Sequence, residues 1–298
     1  MERIVFFGSG PVAAKSLELL SKNFDIEAVV TKPKPAHHRG NFPVLDIAEN
    51  QKLKVHTVSN KAKLSALVAT KPFSSRVGVL IDFGIIVAQD TIDYFPKGIV
   101  NSHFSLLPEW RGADPITFAL LSGQKKTGVS LMLLVEKMDE GPVIACGVQE
   151  LDGTETNTVL TDKLINLSDA LLKKELPRYL SGESSGAPQD QLPGLITGHP
   201  SHISYSRKLT KEDGRLDFNK PAEALEREIR AYSEWPKSYT TLAGKDVIVT
   251  NAHVAEKAED KEIGIKTSRG YLIIDTLKPA GKNEMTAKEF LAGYGKNQ

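Results

Sequence analysis

Asn101 and His103 stand two residues apart, directly after the apolar run Gly98-Ile99-Val100, in the stretch Asn101-Ser-His103-Phe-Ser105-Leu-Leu-Pro108-Glu-Trp110-Arg111-Gly112. In an extended segment, side chains at i and i+2 leave the same face. A neutral amide donor then sits beside a ring that titrates near neutral pH. The amide can hold an oxygen that gains negative charge, and the imidazole can move protons. Together they are equipped for acyl-type transfer. A single histidine near a strand end is more often a hydrogen-bonded structural residue than a catalyst, so a third group is needed to change the balance. Asp139 is that group. It lies in the turn Met138-Asp139-Glu140-Gly141-Pro142, after the strand-like run Thr127–Val135. The two strands are separated by a helix-length segment, Asp114 to Ser122, and on that spacing they are expected to be parallel neighbours. Residues beyond the carboxyl ends of such strands line a ligand crevice. Asn101, His103 and Asp139 are expected to meet there.

The elements that must position this trio follow from periodicity. Residues 4–8, 26–31, 77–81, 98–102 and 128–135 are short β-rich runs, and helical spacing fills Val12–Leu20 and Lys61–Ala69. Alternating strands and helices give an α/β fold with a Rossmann-like, mostly parallel sheet. Leu160, Leu164, Leu167 and Leu171 recur at steps of three and four, which predicts a helix over Thr158–Leu176. Glycine and proline then cluster from Gly182 to Pro200 and read as a linker. Beyond it the texture changes to a helix at Pro221–Arg230 and strand-like runs at 239–242, 246–253, 262–267 and 271–277, as in a small β-barrel. The expected organisation is a catalytic domain over 1–181, a linker over 182–202 and a C-terminal domain over 203–298.

Composition narrows the class of protein. The chain has 298 residues, 40% of them hydrophobic and 25% charged, with a formal net charge of +1. These are values of an ordinary soluble protein. The single Cys146 cannot form an intrachain disulfide, which suits a reducing compartment. The N-terminus lacks the basic start and long apolar core of a signal peptide. The most apolar window, Val77 to Ala88, is interrupted by Asp82 and is too short to span a bilayer. A cytoplasmic protein with no membrane partner is expected. Gly8-Ser-Gly10-Pro-Val-Ala13 satisfies a loose dinucleotide fingerprint, but Thr31-Lys32 stands where an acid should hold the ribose. NAD is therefore not expected, and the glycines are assigned to a tight strand-to-helix turn. No metal is expected either. His37 and His38 are adjacent, with no carboxylate or cysteine at ligand spacing.

The stretch from Asn101 to Gly112, followed by the Asp139-x-Gly141 turn, resembles the signature of the formyltransferases that use 10-formyltetrahydrofolate as donor. The likeness extends over nearly the whole chain. Val5-Phe-Phe-Gly8-Ser-Gly10 and Val29-Val-Thr31-Lys-Pro33 resemble the family's first two strands and their loops. Lys208-Leu-Thr-Lys-Glu-Asp213-Gly214, Trp235-Pro236-x-x-Tyr239-Thr240 and Met285-Thr-Ala-Lys-Glu-Phe290-Leu291 resemble its C-terminal domain. The resemblance implies a formyltransferase domain followed by an OB-like barrel. It implies folate as co-substrate, and Met285–Leu291 favours the branch whose acceptor is charged initiator tRNA. Asn101 becomes the oxyanion donor, His103 the proton carrier, and Asp139 the group that sets the charge of His103. Ser105, Leu106, Leu107 and Pro108 would form part of the folate site, together with Phe83 in Asp82-Phe83-Gly84. The family usually carries Ala-Tyr-Gly there, so the tyrosine hydroxyl is missing, and Val87 replaces a common proline. Arg111 either holds Asp139 or supports the turn as a structural residue.

For the tRNA, the resemblance points to the acid-free basic segment between Glu27 and Asp46. It carries Lys32, Lys34 and Arg39, and is shorter than in the family. Lys208 and Lys211 would add contacts from the C-terminal domain. The expected protein is a monomer. Other acceptors remain open: an amino-sugar nucleotide, or water, which would make the protein a formyltetrahydrofolate hydrolase. A catalytically silent RNA-binding protein is disfavoured, because a fold alone would not require the full trio.

Overall fold

In the computed structural model of the chain, residues 1–35, 40, 42–192 and 202–294 are described. They divide into two compact units. The first comprises Met1–Gly112, Lys126–Glu150 and Asp162–Tyr205; the second comprises Ala113–Lys125, Leu151–Thr161 and Ser206 onward.

The first unit is built on a seven-stranded sheet of β1 (Arg3–Phe7), β2 (Asp25–Thr31), β3 (Val55–Thr57), β4 (Gly78–Leu80), β5 (Ile99–His103), β6 (Lys126–Leu133) and β7 (Val143–Glu150). The strand order is β3-β2-β1-β4-β5-β6-β7. The first five strands are parallel. Ile4 to Phe7 are completely buried, as expected of a parallel strand covered on both faces. The connecting helices are α1 (Pro11–Leu20), α2 (Pro43–Asn50), α3 (Lys61–Ala69) and α4 (Gln89–Asp93). Proline opens α1 and α2, where a missing N–H costs nothing. Asn60 caps α3 by accepting from the Lys63 amide at 3.0 Å.

The expected parallel pairing of the Asn101 strand with its successor is corrected. β6 runs antiparallel to β5, with His103 opposite Ser130 and Val100 opposite Leu133. The intervening helix, α5 (Pro115–Ser122), belongs to the second unit. β7, not anticipated from sequence, pairs antiparallel with β6. The leucine-rich helix is α6 (Asn157–Ser181), longer than expected because Pro177 is accommodated within it.

The second unit carries an antiparallel sheet of β8 (Ser238–Leu242), β9 (Lys245–Ala255), β10 (Ile263–Lys266), β11 (Tyr271–Pro279) and β12 (Met285–Thr286). Its order is β8-β9-β11-β10, with β12 on β11. Register shifts around Asn251 bend β9. No ladder joins β8 to β10 among the described strands, so the sheet is an open half-barrel. Helix α7 (Ala222–Ala231) closes it from one side. Ala222, Leu225 and Ile229 lie on one helical face and enter a core with Val247, Leu272, Ile274 and Phe290, the last from α8 (Ala287–Tyr294).

The motif Lys208–Asp217 has a structural task in this unit. Thr210 opens a short 3-10 turn whose Asp213 carboxylate accepts from the Thr210 amide at 2.7 Å and from the Arg207 guanidinium. The Arg207 hydrogen bond, foremost, holds the Asp213 carboxyl well below its ordinary value of 3.8. A carboxyl depressed on folding stabilises the protein above its unfolded value, and that contribution is lost as pH falls through the folded value. Asp213→Asn should cost about 1 kcal/mol at pH 7, the worth of one cap. The wild-type advantage over this variant should begin to shrink below about pH 4 and keep falling as the medium becomes more acid. Urea midpoints measured on both proteins from neutral to acid pH check this; an advantage undiminished in acid would refute it.

Candidate active site

Asn101 and His103 lie at the carboxyl end of β5, where the extended backbone turns both side chains to the same side. Both are buried, at 7% and 6% exposure, as is Asp139 at 8%. The Asn101 Nδ2 stands 3.5 Å from Asp139 Oδ1. The His103 Nδ1 stands 3.8 Å from Asp139 Oδ2. The trio is thus brought together, though not by the parallel arrangement expected. The 134–142 connection folds back over β5 and carries Asp139 with it. Two backbone bonds seat it: the Leu134 amide on Ile99 O (2.8 Å) and the Leu133 amide on Pro142 O (2.9 Å).

The hydrogen bonds around the trio fix its chemistry. His103 Nε2 is 2.9 Å from the carbonyl oxygen of Trp110. A carbonyl can only accept, so Nε2 carries the proton and the neutral ring keeps its lone pair on Nδ1, the nitrogen beside Asp139. Trp110 presents that carbonyl from a left-handed backbone conformation, φ 54°. Asp139 Oδ2 also accepts the Gly112 amide at 2.7 Å. Gly112 has φ 105°, a conformation that favours glycine.

Asp139 is itself left-handed at φ 53°, a state that persists only when its surroundings hold it. Arg111 contributes to that support. Its Nε and Nη2 donate to Gln189 Oε1 at 3.1 and 2.7 Å, and its Nη1 lies 3.6 Å from Glu140 Oε1. Arg111 therefore supports the turn through Gln189 and Glu140. Sequence reasoning missed Gln189 altogether. It sits in the breaker-rich stretch taken as a linker, yet it is 5% exposed. Nothing in its local sequence marks it. Further along, Ser204 binds the motif loop: its hydroxyl accepts from the Trp110 amide at 2.9 Å and its carbonyl from the Arg111 amide at 3.0 Å.

The side chains expected at the folate site are buried. Leu107 is fully buried in a core with Met132, Val143 and Leu192. Leu106 is 4% exposed and packs over Gly128. Ser105 is fully buried, with its hydroxyl on Glu109 O and its carbonyl accepting from Ser130. Pro108 is buried, and its carbonyl accepts from the Ser204 amide at 3.3 Å. Phe83 is 2% exposed and meets Phe7 edge-on at 5.7 Å. The apolar rings and chains of these residues pack inward. Ile86, in the same loop as Phe83, is 66% exposed.

Of the bases expected on RNA, Lys32 and Lys34 belong to the first unit and Lys208 and Lys211 to the second. The Lys32 ammonium covers Gly84, 2.6 Å from where a Cβ would stand, which places it on the Asp82–Gly84 loop. Lys34, Lys208 and Lys211 are exposed. Arg39, with His37 and His38, lies outside the described residues. Gly10 of the dinucleotide-like fingerprint is needed for room and not for conformation. Its φ is −90°, and a Cβ there would fall 1.8 Å from the Asp82 carboxylate. Among the described residues, no helix is long and apolar enough to cross a membrane.

A mostly parallel sheet that carries an Asn–His–Asp cluster, followed by an antiparallel half-barrel, defines a formyl transferase, and the chain belongs to that family. The formyl transferase model matches residues 2–176, and the model of the formyl transferase C-terminal domain matches residues 208–295. Among curated relatives, the methionyl-tRNA formyltransferase of Myxococcus xanthus is 35% identical, covering 98% of this chain and 95% of its own. That of Chloroflexus aurantiacus is 34% identical, covering 98% and 96%. Among solved structures, the N-formyltransferase from Helicobacter canadensis, in complex with folinic acid and dTDP-3-aminofucose, superposes with a TM-score of 0.67 at 18% identity. It covers 92% of this chain and 98% of that one. HypX from Aquifex aeolicus in complex with tetrahydrofolic acid gives 0.64 at 16%, covering 99% and 47%. At these identities the structural likeness establishes the fold alone.

Proposed function

We propose that this chain transfers the formyl group from N10 of 10-formyltetrahydrofolate to the α-amine of methionyl initiator tRNA, acting as a monomer. The observation that carries the proposal is the buried cluster of Asn101, His103 and Asp139, in a chain matched along 98% of its length by a relative named for that activity.

Each residue of the cluster has its own part in the reaction. The neutral amine attacks the formyl carbon, and the carbonyl electron pair moves onto oxygen. Asn101 Nδ2 donates to that oxygen as its charge grows. His103 takes a proton at Nδ1, since Nε2–H is committed to Trp110 O. The resulting imidazolium lies against the Asp139 carboxylate. When the bond from carbon to N10 breaks, that nitrogen leaves with one proton, so the proton lost by the amine balances the one gained by the folate. The Asp82–Ala88 loop, with exposed Ile86 and with Lys32 laid over Gly84, is assigned to the donor side.

For the acceptor, the second unit offers a cleft of about 720 Å³ lined by Lys211, Arg215, Lys278, Phe218 and Tyr239, with Asp246 the one acid in its wall among the described residues. Positive charge interleaved with aromatic rings suits a nucleic-acid backbone and its bases. Lys208 is exposed in the same unit. Replacing Lys211, Arg215 and Lys278 together by alanine should raise KM for charged tRNA and leave kcat within about twofold. Each removed base that had paired with a phosphate should flatten the salt dependence of binding by roughly one unit of log–log slope. Binding measured at a series of salt concentrations decides; an unchanged slope removes the cleft from the tRNA path.

The direct test presents purified protein and 10-formyltetrahydrofolate with charged initiator tRNA, uncharged tRNA and amino-sugar nucleotides in parallel. Formylation of the charged initiator tRNA alone supports the proposal. Transfer to a sugar amine, or hydrolysis of the donor without acceptor, overturns it.

A further inference from the structure

Gln189 lies outside every motif singled out in the sequence, yet all of its side-chain hydrogen-bonding capacity is spent on the active-site turn. Its Nε2 donates to Asp139 O at 2.7 Å and to Gly141 O at 2.9 Å. Its Oε1 accepts from Arg111 Nε and Nη2 at 3.1 and 2.7 Å. A glutamine amide has two donors and two acceptor lone pairs, and here all four are used. The orientation is therefore determined: a rotated amide would set oxygen against two carbonyls and nitrogen against a guanidinium. The segment is also anchored on either side. Ala187 exchanges backbone bonds of 2.8 and 2.9 Å with Val143, and Leu192 is buried beside Leu107 and Val143.

We propose that Gln189 is a positioning residue for formyl transfer. It clamps the carbonyls on both sides of Glu140, holds Asp139 in its left-handed conformation, and thereby sets the carboxylate against Asn101, His103 and the Gly112 amide. Arg111 is the counterpart of the clamp, steadied by Glu140. The stretch between the helix α6 and the C-terminal domain is on this account a working part of the catalytic site. The proposal rests on the role given above to Asp139.

Gln189→Glu separates the clamp from mere packing. The carboxylate keeps its bonds to Arg111, so the chain stays folded, but it offers no hydrogen to Asp139 O or Gly141 O. Displacing a reacting geometry by about 1 Å can cost on the order of 10²-fold in rate. The expected result is a kcat lower by about that factor with KM for donor and acceptor within about threefold. Hydrogen exchange supplies a readout independent of catalysis. The Gly112 amide, bonded to Asp139 Oδ2, should exchange at least about tenfold faster, while amides of β1 and β4 keep their protection. Gln189→Met, similar in size and without hydrogen bonds, should reproduce both effects. Wild-type kcat and a protected Gly112 amide in Gln189→Glu would overturn the clamp. So would loss of protection throughout the sheet, which would make Gln189 a residue of general stability. If the wild-type chain fails to formylate any amine, the function proposed above falls, and the exchange at Gly112 still judges the clamp.

Discussion

Asp139→Asn is expected to lower the rate of formyl transfer by roughly 10²–10⁴, the range of a lost acid–base partner, with the fold intact. The substitution is isosteric, and the side-chain oxygen can still accept the Gly112 amide that Oδ2 accepts now at 2.7 Å. The charge disappears, and with it the acceptor at Oδ1. His103 Nδ1, 3.8 Å away, then gains its proton with no carboxylate to face it. Asn101, whose Nδ2 is 3.5 Å from Oδ1, then faces an amide NH2 in place of an acceptor. Oxyanion donation survives while proton movement suffers, so single-turnover formylation should slow without a matching rise in KM. Thermal unfolding close to wild type confirms that the comparison is fair. A variant with near-normal turnover would remove the Asp139 charge from the mechanism.

Gly141→Ala should damage stability and activity together. A Cβ at Gly141 would fall 1.7 Å from Leu133 O, a backbone atom. Leu133 is itself tied to the turn, its amide donating to Pro142 O at 2.9 Å. Neither side can yield without opening the start of the β6–β7 connection, whose carbonyls the Gln189 amide also holds. Strain of this kind belongs with the large destabilising substitutions, about 3 kcal/mol. Activity should fall by about 10²-fold or more even in the fraction that remains folded, because the displaced turn carries Asp139. Gly182→Ala is the control. Gly182 is left-handed, φ 87°, but a Cβ there would meet nothing within 4 Å. It should cost about 1–2 kcal/mol and leave turnover unchanged. Urea unfolding and formylation assays on both variants test the contrast. Equal behaviour of the two would show that the clash with Leu133 does not govern Gly141.

Much of this protein could be read from local pattern. The apolar cores of β1, β2, β4 and β5 (Ile4–Phe7, Ala28–Val30, Gly78–Leu80 and Ile99–Val100) are hydrophobic because both faces are buried there. The face shared by Asn101 and His103 follows from a strand period of two, which no packing alters. The amphipathic spacing of Leu225 and Ile229 likewise determined α7 and the side it buries. Each of these properties is set within a few residues of backbone geometry.

Tertiary structure decided the remainder. Periodicity says which side of a strand is buried but not which way its neighbour runs, so the antiparallel pairing of β5 and β6 was hidden. The helix-length segment between them sits in the other compact unit. Asp139 meets His103 because a loop folds back, held by bonds from Leu133, Leu134 and Gln189, all distant in sequence from Asn101. Leu106, Leu107 and Phe83, suited by type to a ligand slot, are core residues, since an apolar side chain serves equally in either place and only packing chooses. Gln189 was the least legible of all. A glutamine among prolines and glycines has no periodic signal, and its meaning comes from two carbonyls and one guanidinium that the fold alone brings to it.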